Sequence, residues 1–233
     1  MKNILFSCLF LTGLMSASAS AALISPTSLN PDTMGYFSSL HLPEYAVDGS
    51  GMDGGLPLTP DSVVLATTQD TGNTWLARSG ASESGNTTIY FNFDFGNNDS
   101  GITLGSFYLW NYHDPDNANQ AHHTGIGVNE FSLTFYDDLD GEGGAIGSTE
   151  RLFASAAIPD ADVTAQMFSF DVVHDVLSVG MTIYSNHGSR FPPGFHEVAF
   201  SADSDSSVPV PPTLLLILTS LVLLKTYSKK NTL

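Results

Sequence analysis

Residues 87–95 read Thr-Thr-Ile-Tyr-Phe-Asn-Phe-Asp-Phe, and between residues 25 and 202 no stretch sustains an apolar repeat near 3.6 residues. Alternation with a period of two puts apolar side chains on one face of an extended strand and polar ones on the other. The same reading holds for residues 102–112, 130–136, 166–172, 177–184 and 196–201, each bounded by clusters of Gly, Asn, Asp or Pro. Short strands separated by turn residues at near-regular spacing predict an all-β chain, an antiparallel β-sandwich of the jelly-roll kind. No glycine-rich phosphate loop leads into a helix, and no repeat of fixed period is present.

Such a sandwich needs a core that holds without covalent staples. Cys8 is the single cysteine, and it lies in an N-terminal segment with the marks of an export signal. Lys2 is followed by an apolar run over residues 4–15 and by small residues, with Ala17-Ser18-Ala19 and Ala19-Ser20-Ala21 as cleavage sequences. The run is too short to span a bilayer, and Cys8 precedes most of it, which argues against a lipidated cysteine. Residues 1–21 are therefore expected to form a signal helix that is removed. The exported remainder has no thiol, and residues 22–203 form one domain-sized unit whose Phe, Tyr, Val and Leu must supply the core.

The other end is also distinctive. A Ser/Pro-rich linker, residues 204–212, leads into an uncharged, mainly apolar stretch from residue 213 to 224, and Lys225, Lys229 and Lys230 follow. The strictly apolar part covers roughly 18 Å at 1.5 Å per residue. It reaches across a bilayer only with the flanking prolines and a snorkelling lysine. Residues 213–233 are expected to be a C-terminal transmembrane helix with a basic end, and the lysines place the folded domain outside. Val208-Pro209-Val210-Pro211, the apolar stretch and Lys225, Lys229 and Lys230 resemble the PEP-CTERM sorting signal of Gram-negative bacteria, with Val210 where that signal has Glu. The resemblance implies a membrane-anchored intermediate at the inner membrane. A sorting enzyme of the exosortase type would be the partner, and the destination the cell surface or the extracellular matrix.

Charge narrows the partners. All 24 Asp and Glu lie between residues 32 and 205, where Arg78, Arg151 and Arg190 are the only Lys or Arg residues. So acidic a surface repels phosphate backbones, which excludes nucleic acid, and it favours solubility and divalent cations.

A second resemblance runs through the β region. Ala46-Val47-Asp48-Gly49, then Thr74-Trp75, the strand ending Asp94-Phe95-Gly96, the strand Leu104 to Tyr112, Glu130 to Asp138, and His196-Glu197-Val198 follow one another in an order similar to the discoidin-type, galactose-binding-like domains of coagulation factors and carbohydrate-binding modules. That resemblance implies a structural Ca2+ held by the Ala46 carbonyl, Asp48, Ser50, Thr74 and Glu197, a set that matches calcium's preference for six to eight oxygen ligands. A simple Asx turn at Asp48 is the competing reading. It also implies polysaccharide as a partner.

Two polar segments add candidates. In the loop after residue 112, His113, Asp116, Asn117, His122 and His123 can hydrogen-bond sugar hydroxyls, with Trp110 or Tyr112 stacking on a sugar face; a plain polar loop without a ligand is the competing reading. A zinc site through His113, His122 and His123 needs a special loop shape, because adjacent histidines point apart in an extended chain. Asp137-Asp138-Leu139-Asp140-Gly141-Glu142 has calcium-like spacing, but position twelve of such a loop, counted from Asp137 or Asp138, is Ser148 or Thr149 rather than Glu, so a hairpin turn is expected. No Gly-x-Ser-x-Gly marks a nucleophile, and no two carboxylates stand out as a glycosidase pair. The sequence therefore predicts an exported, non-enzymatic surface protein that binds carbohydrate. A structural or adhesive surface protein and a glycan-active hydrolase are the alternatives.

Overall fold

Twelve strands are found among the described residues: β1 Ser28–Asn30, β2 Val63–Val64, β3 Trp75–Leu76, β4 Thr87–Asn92, β5 Ile102–Asn111, β6 Val128–Tyr136, β7 Ala145–Ser148, β8 Leu152–Phe153, β9 Val163–Thr164, β10 Gln166–Val176, β11 Ser178–Asn186 and β12 Gly194–Ser201. The computed structural model describes residues 23–31, 36, 41–64, 74–78, 87–94, 101–112, 124–158 and 161–202. The signal segment, the Ser/Pro linker, the apolar tail and its lysines lie outside them. Among the described residues no helix is long and apolar enough to cross a membrane.

The strands form an antiparallel sandwich. One sheet has the order β1-β4-β11-β6-β7, with β8 also paired to β6; the other has the order β10-β5-β12-β3. Every strand pairing is antiparallel. Alternate residues from both sheets meet in the core, among them Ile89, Phe91, Leu133, Phe135, Val179 and Met181 from one side and Phe107, Leu109, Val198 and Phe200 from the other. Phe107 lies 5.1 Å from Phe200 and 5.6 Å from Phe131, centroid to centroid. Such tilted and edge-on pairs contribute about 0.5–1.5 kcal/mol each beyond their buried area. A stapled core is unnecessary with this much aromatic surface buried.

The four-stranded sheet is covered on both faces. Its outer side carries a second cluster, in which Tyr108, Trp110 and Ala199 pack against Leu23, Met52, Leu58, Val64 and Val163. The cover is the chain from residue 49 to 64 with the small β2–β9 ribbon, in which Val63 faces Thr164 and Val64 faces Val163. This explains why all eight residues of β12 are buried although they include His196 and Glu197.

All six strands anticipated from alternation are present, with ends that differ by a few residues. β6 starts at Val128, β10 continues to Val176, and β12 begins at Gly194. The strands not anticipated are the shortest, of two to four residues each. Too few residues alternate there for a period to register.

Candidate functional site

Two regions bring the predicted site residues into view, and the first is the turn at Asp48. A 3-10 turn, Pro43–Ala46, carries the chain into Asp48-Gly49, where Gly49 adopts φ 75°. Side chains rarely tolerate that conformation, so glycine fits. Asp48 accepts a hydrogen bond from the Ser50 backbone N–H on Oδ1 at 2.8 Å, which is the Asx turn. Beneath it, Glu197 projects from the outer face of β12. Its Oε2 accepts a hydrogen bond from the Gly49 N–H at 2.8 Å, a contact 148 residues apart in sequence. Its Oε1 is buried and, among the described residues, has no hydrogen-bond partner. Burial pushes the Glu197 carboxyl well above the ordinary range; the Gly49 N–H opposes this, and the nearby Asp48 charge adds to it.

Ala46 is fully buried, and the Thr74 hydroxyl, also buried, lies 3.1 Å from His41 Nδ1. Asp48 thus lies near Glu197, and Ser50 enters through its backbone N–H. Among the described residues no group of three or more His, Cys, Asp and Glu is placed to hold a metal ion. A cation here would rest on two carboxylates plus backbone and hydroxyl oxygens. The orphaned, buried Oε1 is what such a cation would satisfy, and the all-oxygen donor set suits calcium.

The second region is the end of the sandwich from which the 113–123 loop leaves. His113, Asp116, Asn117, His122 and His123 lie outside the described residues, but the base of their loop is defined. Asn111, fully buried, donates from Nδ2 to the Val128 carbonyl (2.7 Å) and the Ser155 carbonyl (3.0 Å). Its Oδ1 accepts from the Val128 N–H (2.7 Å) and the Tyr112 N–H (3.0 Å). Beside it, Asn186 donates to the Ser189 and Phe191 carbonyls at 3.0 and 2.7 Å and accepts from the Gly188 N–H at 3.0 Å. Arg190 is exposed and lies 5.3 Å from the centre of the Phe191 ring. Burial holds the His187 imidazole below its ordinary range. These residues escaped the sequence reading because an isolated Asn or Arg near a strand end carries no pattern.

Two expectations are corrected. Trp110 and Tyr112 do not present faces for stacking. Trp110 is fully buried in the second cluster and donates from Nε1 to the Ser62 carbonyl at 2.7 Å. Tyr112 is 2 % exposed, packs with Leu76 and Ile126, and stacks on His196 at 5.7 Å. Both are packed under neighbouring segments, which nothing local in the sequence indicates. Trp110→Phe is expected to lower stability by about 1–2 kcal/mol through the lost hydrogen bond while leaving sugar binding intact. Paired denaturation and binding measurements on this variant check the point.

The acidic segment after β6 is a turn, as expected. Asp138 Oδ1 accepts from the Leu139 N–H, and Asn92 clasps Asp140 through two hydrogen bonds, Asn92 Nδ2 to Asp140 Oδ1 at 2.7 Å and the Asp140 N–H to Asn92 Oδ1 at 2.9 Å.

No protein-family model matches this chain. No curated protein matches it either. Among solved structures it is similar to the CBM32-1 and CBM32-2 domains of Clostridium perfringens ZmpB, at 12% identity over 78% of this chain and 37% of that chain, with a TM-score of 0.48. It is similar to the family 32 CBM of C. perfringens NanJ, solved in complex with galactose, at 9% identity over 77% of this chain and 97% of that one, with a TM-score of 0.46. A third is an F5/8 type C domain from Bacteroides fragilis, at 13% identity over 55% of this chain and 72% of that one, with a TM-score of 0.38.

Proposed function

We propose that the chain is an exported, non-enzymatic surface module that binds carbohydrate at the loop end of its sandwich and uses Ca2+ to fasten the Asp48 turn to Glu197. The observation that carries the binding reading is the hydrogen-bonded platform of Asn111 and Asn186. It ties Tyr112, which leads into residues 113–123, to Val128, and fixes the backbone around the Arg190–Phe191 pair. Ligand loops work when a rigid frame positions them, because ordering costs are then met on folding rather than on binding. In this reading Arg190 and the loop's His and Asn residues donate to sugar hydroxyls, and the Phe191 ring offers an apolar edge.

Calcium supplies charge neutralisation at Glu197 and Asp48, and this chain's own groups do the rest. Ala46, Ser50 and Thr74 complete the oxygen set, and the Asx turn holds Asp48 over β12. The tail is read by a sorting enzyme at the membrane and then removed, leaving the acidic domain at the cell surface or in a polysaccharide matrix. Mass spectrometry of the mature protein tests this part: an intact end through Leu233 would restore a permanent anchor.

A glycan array probed with the full chain in calcium-containing buffer tests the binding. Binding to one or more glycans is expected, with Arg190→Ala weakening it about tenfold, which corresponds to about 1.4 kcal/mol. Absence of binding across the array would favour a purely structural or adhesive role.

A further inference from the structure

The face of the six-stranded sheet that points away from the core differs in charge from the acidic chain around it. Its outward positions follow from the register. Asn30, Tyr90, Gly180 and Thr134 form one row across β1, β4, β11 and β6, and Thr88, Thr182 and Ser132 form the next. Their strand neighbours Ile89, Phe91, Leu133, Phe135, Val179 and Met181 point into the core. On these four strands the outward side chains are hydroxyls, amides and tyrosines, with Gly180 and one carboxylate, Glu130. That carboxylate is ion-paired with Arg151. In a chain with 24 acidic and 7 basic residues, the middle rows of this face thus carry no charged side chain, with the Glu130–Arg151 pair towards one end and Asp140, hydrogen-bonded to Asn92, at the other.

The field is also shaped. Tyr90 and Tyr136 stand 6.0 Å apart at 65° and flank Gly180, where an added Cβ would lie 3.1 and 3.2 Å from their rings. The two half-buried rings therefore lean low over a glycine. Gly141 locks Tyr90 in place, since a Cβ there would fall 2.2 Å from Tyr90 Cε1. Further along β11, Tyr184 is half-buried, with the Arg151 guanidinium 4.2 Å from its ring centre. Between them run hydroxyl pairs, Thr88 with Thr182 at 3.1 Å and Ser132 with Tyr184 at 3.0 Å. From Gly180 to Tyr184 the strand rises about 13 Å, longer than one sugar ring.

We propose that this sheet face binds an extended, uncharged polysaccharide chain, as a second site separate from the loop end. Tyrosine rings interspersed with hydroxyls suit sugar rings, which pair apolar C–H faces with polar rims. Charge selects the occupant. A second copy of the chain would bring its own net charge of −17, and an anionic polymer would be repelled by the surrounding carboxylates. An uncharged chain meets neither penalty.

The test is affinity electrophoresis of the full chain in a non-glycosidic detergent, through gels holding galactomannan, glucomannan or mixed-linkage β-glucan, with alginate as the anionic comparison. Retardation by at least one neutral polymer and not by alginate is expected. Tyr136→Ala and Tyr184→Ala are each expected to weaken that retardation at least tenfold. Because a variant can lose its fold, nitration of the unaltered protein gives a second reading: bound polymer protects Tyr136 and Tyr184 but not Tyr45. The proposal is overturned by no retardation in any neutral polymer, by equal retardation in alginate, or by unprotected Tyr136 and Tyr184. Loss of polymer binding in Arg190→Ala while Tyr136→Ala binds normally would place the polymer at the loop end and overturn it too. That last result would leave the loop-end reading standing, so the two sites fail separately.

Discussion

Glu197→Gln is expected to abolish the rise in melting temperature that calcium gives the unaltered protein. Calcium at 100 times its dissociation constant adds about 2.7 kcal/mol to a protein that binds it only when folded. For a domain of this size each kcal/mol moves the midpoint by about 2–4 °C, so a rise of about 5–10 °C is the expected response. The variant keeps an acceptor for the Gly49 N–H but loses the charge that a cation requires. An equal rise in the variant, or no rise in the unaltered protein, would sink the calcium site.

The metal-free protein should report the same carboxylate through pH. Burial raises the Glu197 pKa above its ordinary value of 4.5. The folded state therefore still holds a proton where the unfolded chain has released it. Stability contributed by this group is fully present below the unfolded value and is lost as pH rises through the folded one. Denaturation in EGTA should show that fall, and Glu197→Gln should flatten this component. At neutral pH without calcium, the variant is expected to be at least as stable as the unaltered chain, because it removes the cost of either burying the charge or keeping the carboxyl protonated.

The second large effect is at Asn111. Its side chain makes four hydrogen bonds at 2.7–3.0 Å to backbone groups of Tyr112, Val128 and Ser155. Asn111→Ala would leave those groups buried without partners, at about 1–3 kcal/mol for each poorly solvated one. A loss of about 3–4 kcal/mol is expected, read by chemical denaturation. Asn111→Asp separates charge from shape: it keeps the acceptor but replaces the donor with an oxygen facing two carbonyls, and should cost nearly as much. Gly127 belongs to the same arrangement, since a Cβ there would lie 2.7 Å from Asn111 Oδ1. Sugar binding at the loop end should weaken in step with stability, because this residue ties Tyr112, which leads into residues 113–123, to Val128.

What the sequence made legible was the long strands and one turn. β4, β5, β6, β10, β11 and β12 could be read because each holds enough alternating residues to show a period, and Asp48-Gly49 because glycine after aspartate marks a turn. A place for Glu197 beside the Asp48 turn was implied only by resemblance, and its bond to Gly49 was not anticipated, since 148 residues separate them and no local rule connects them. Trp110 misled for a related reason. Alternation says which face a side chain leaves from, but not whether another segment lies across that face. The clasp of Asn92 on Asp140, at 48 residues' separation, was likewise invisible. The uncharged middle rows of the outer tyrosine face are present in the sequence, yet they emerge only when β4, β6 and β11 are aligned side by side.

The cover over the four-stranded sheet has one more consequence. The cluster around Trp110 shares no buried residue with the central core, and the cover reaches the sheet through the Gly49–Glu197 and Trp110–Ser62 hydrogen bonds and the apolar contacts of that cluster. Apolar clusters with separate memberships can open at separate free energies. Amides of residues 49–64 should exchange with solvent well before those of β4, β6 and β11, and calcium should slow the first group without changing the second. The cation would then act as a latch on one flap of the protein, and leave the sandwich beneath it indifferent.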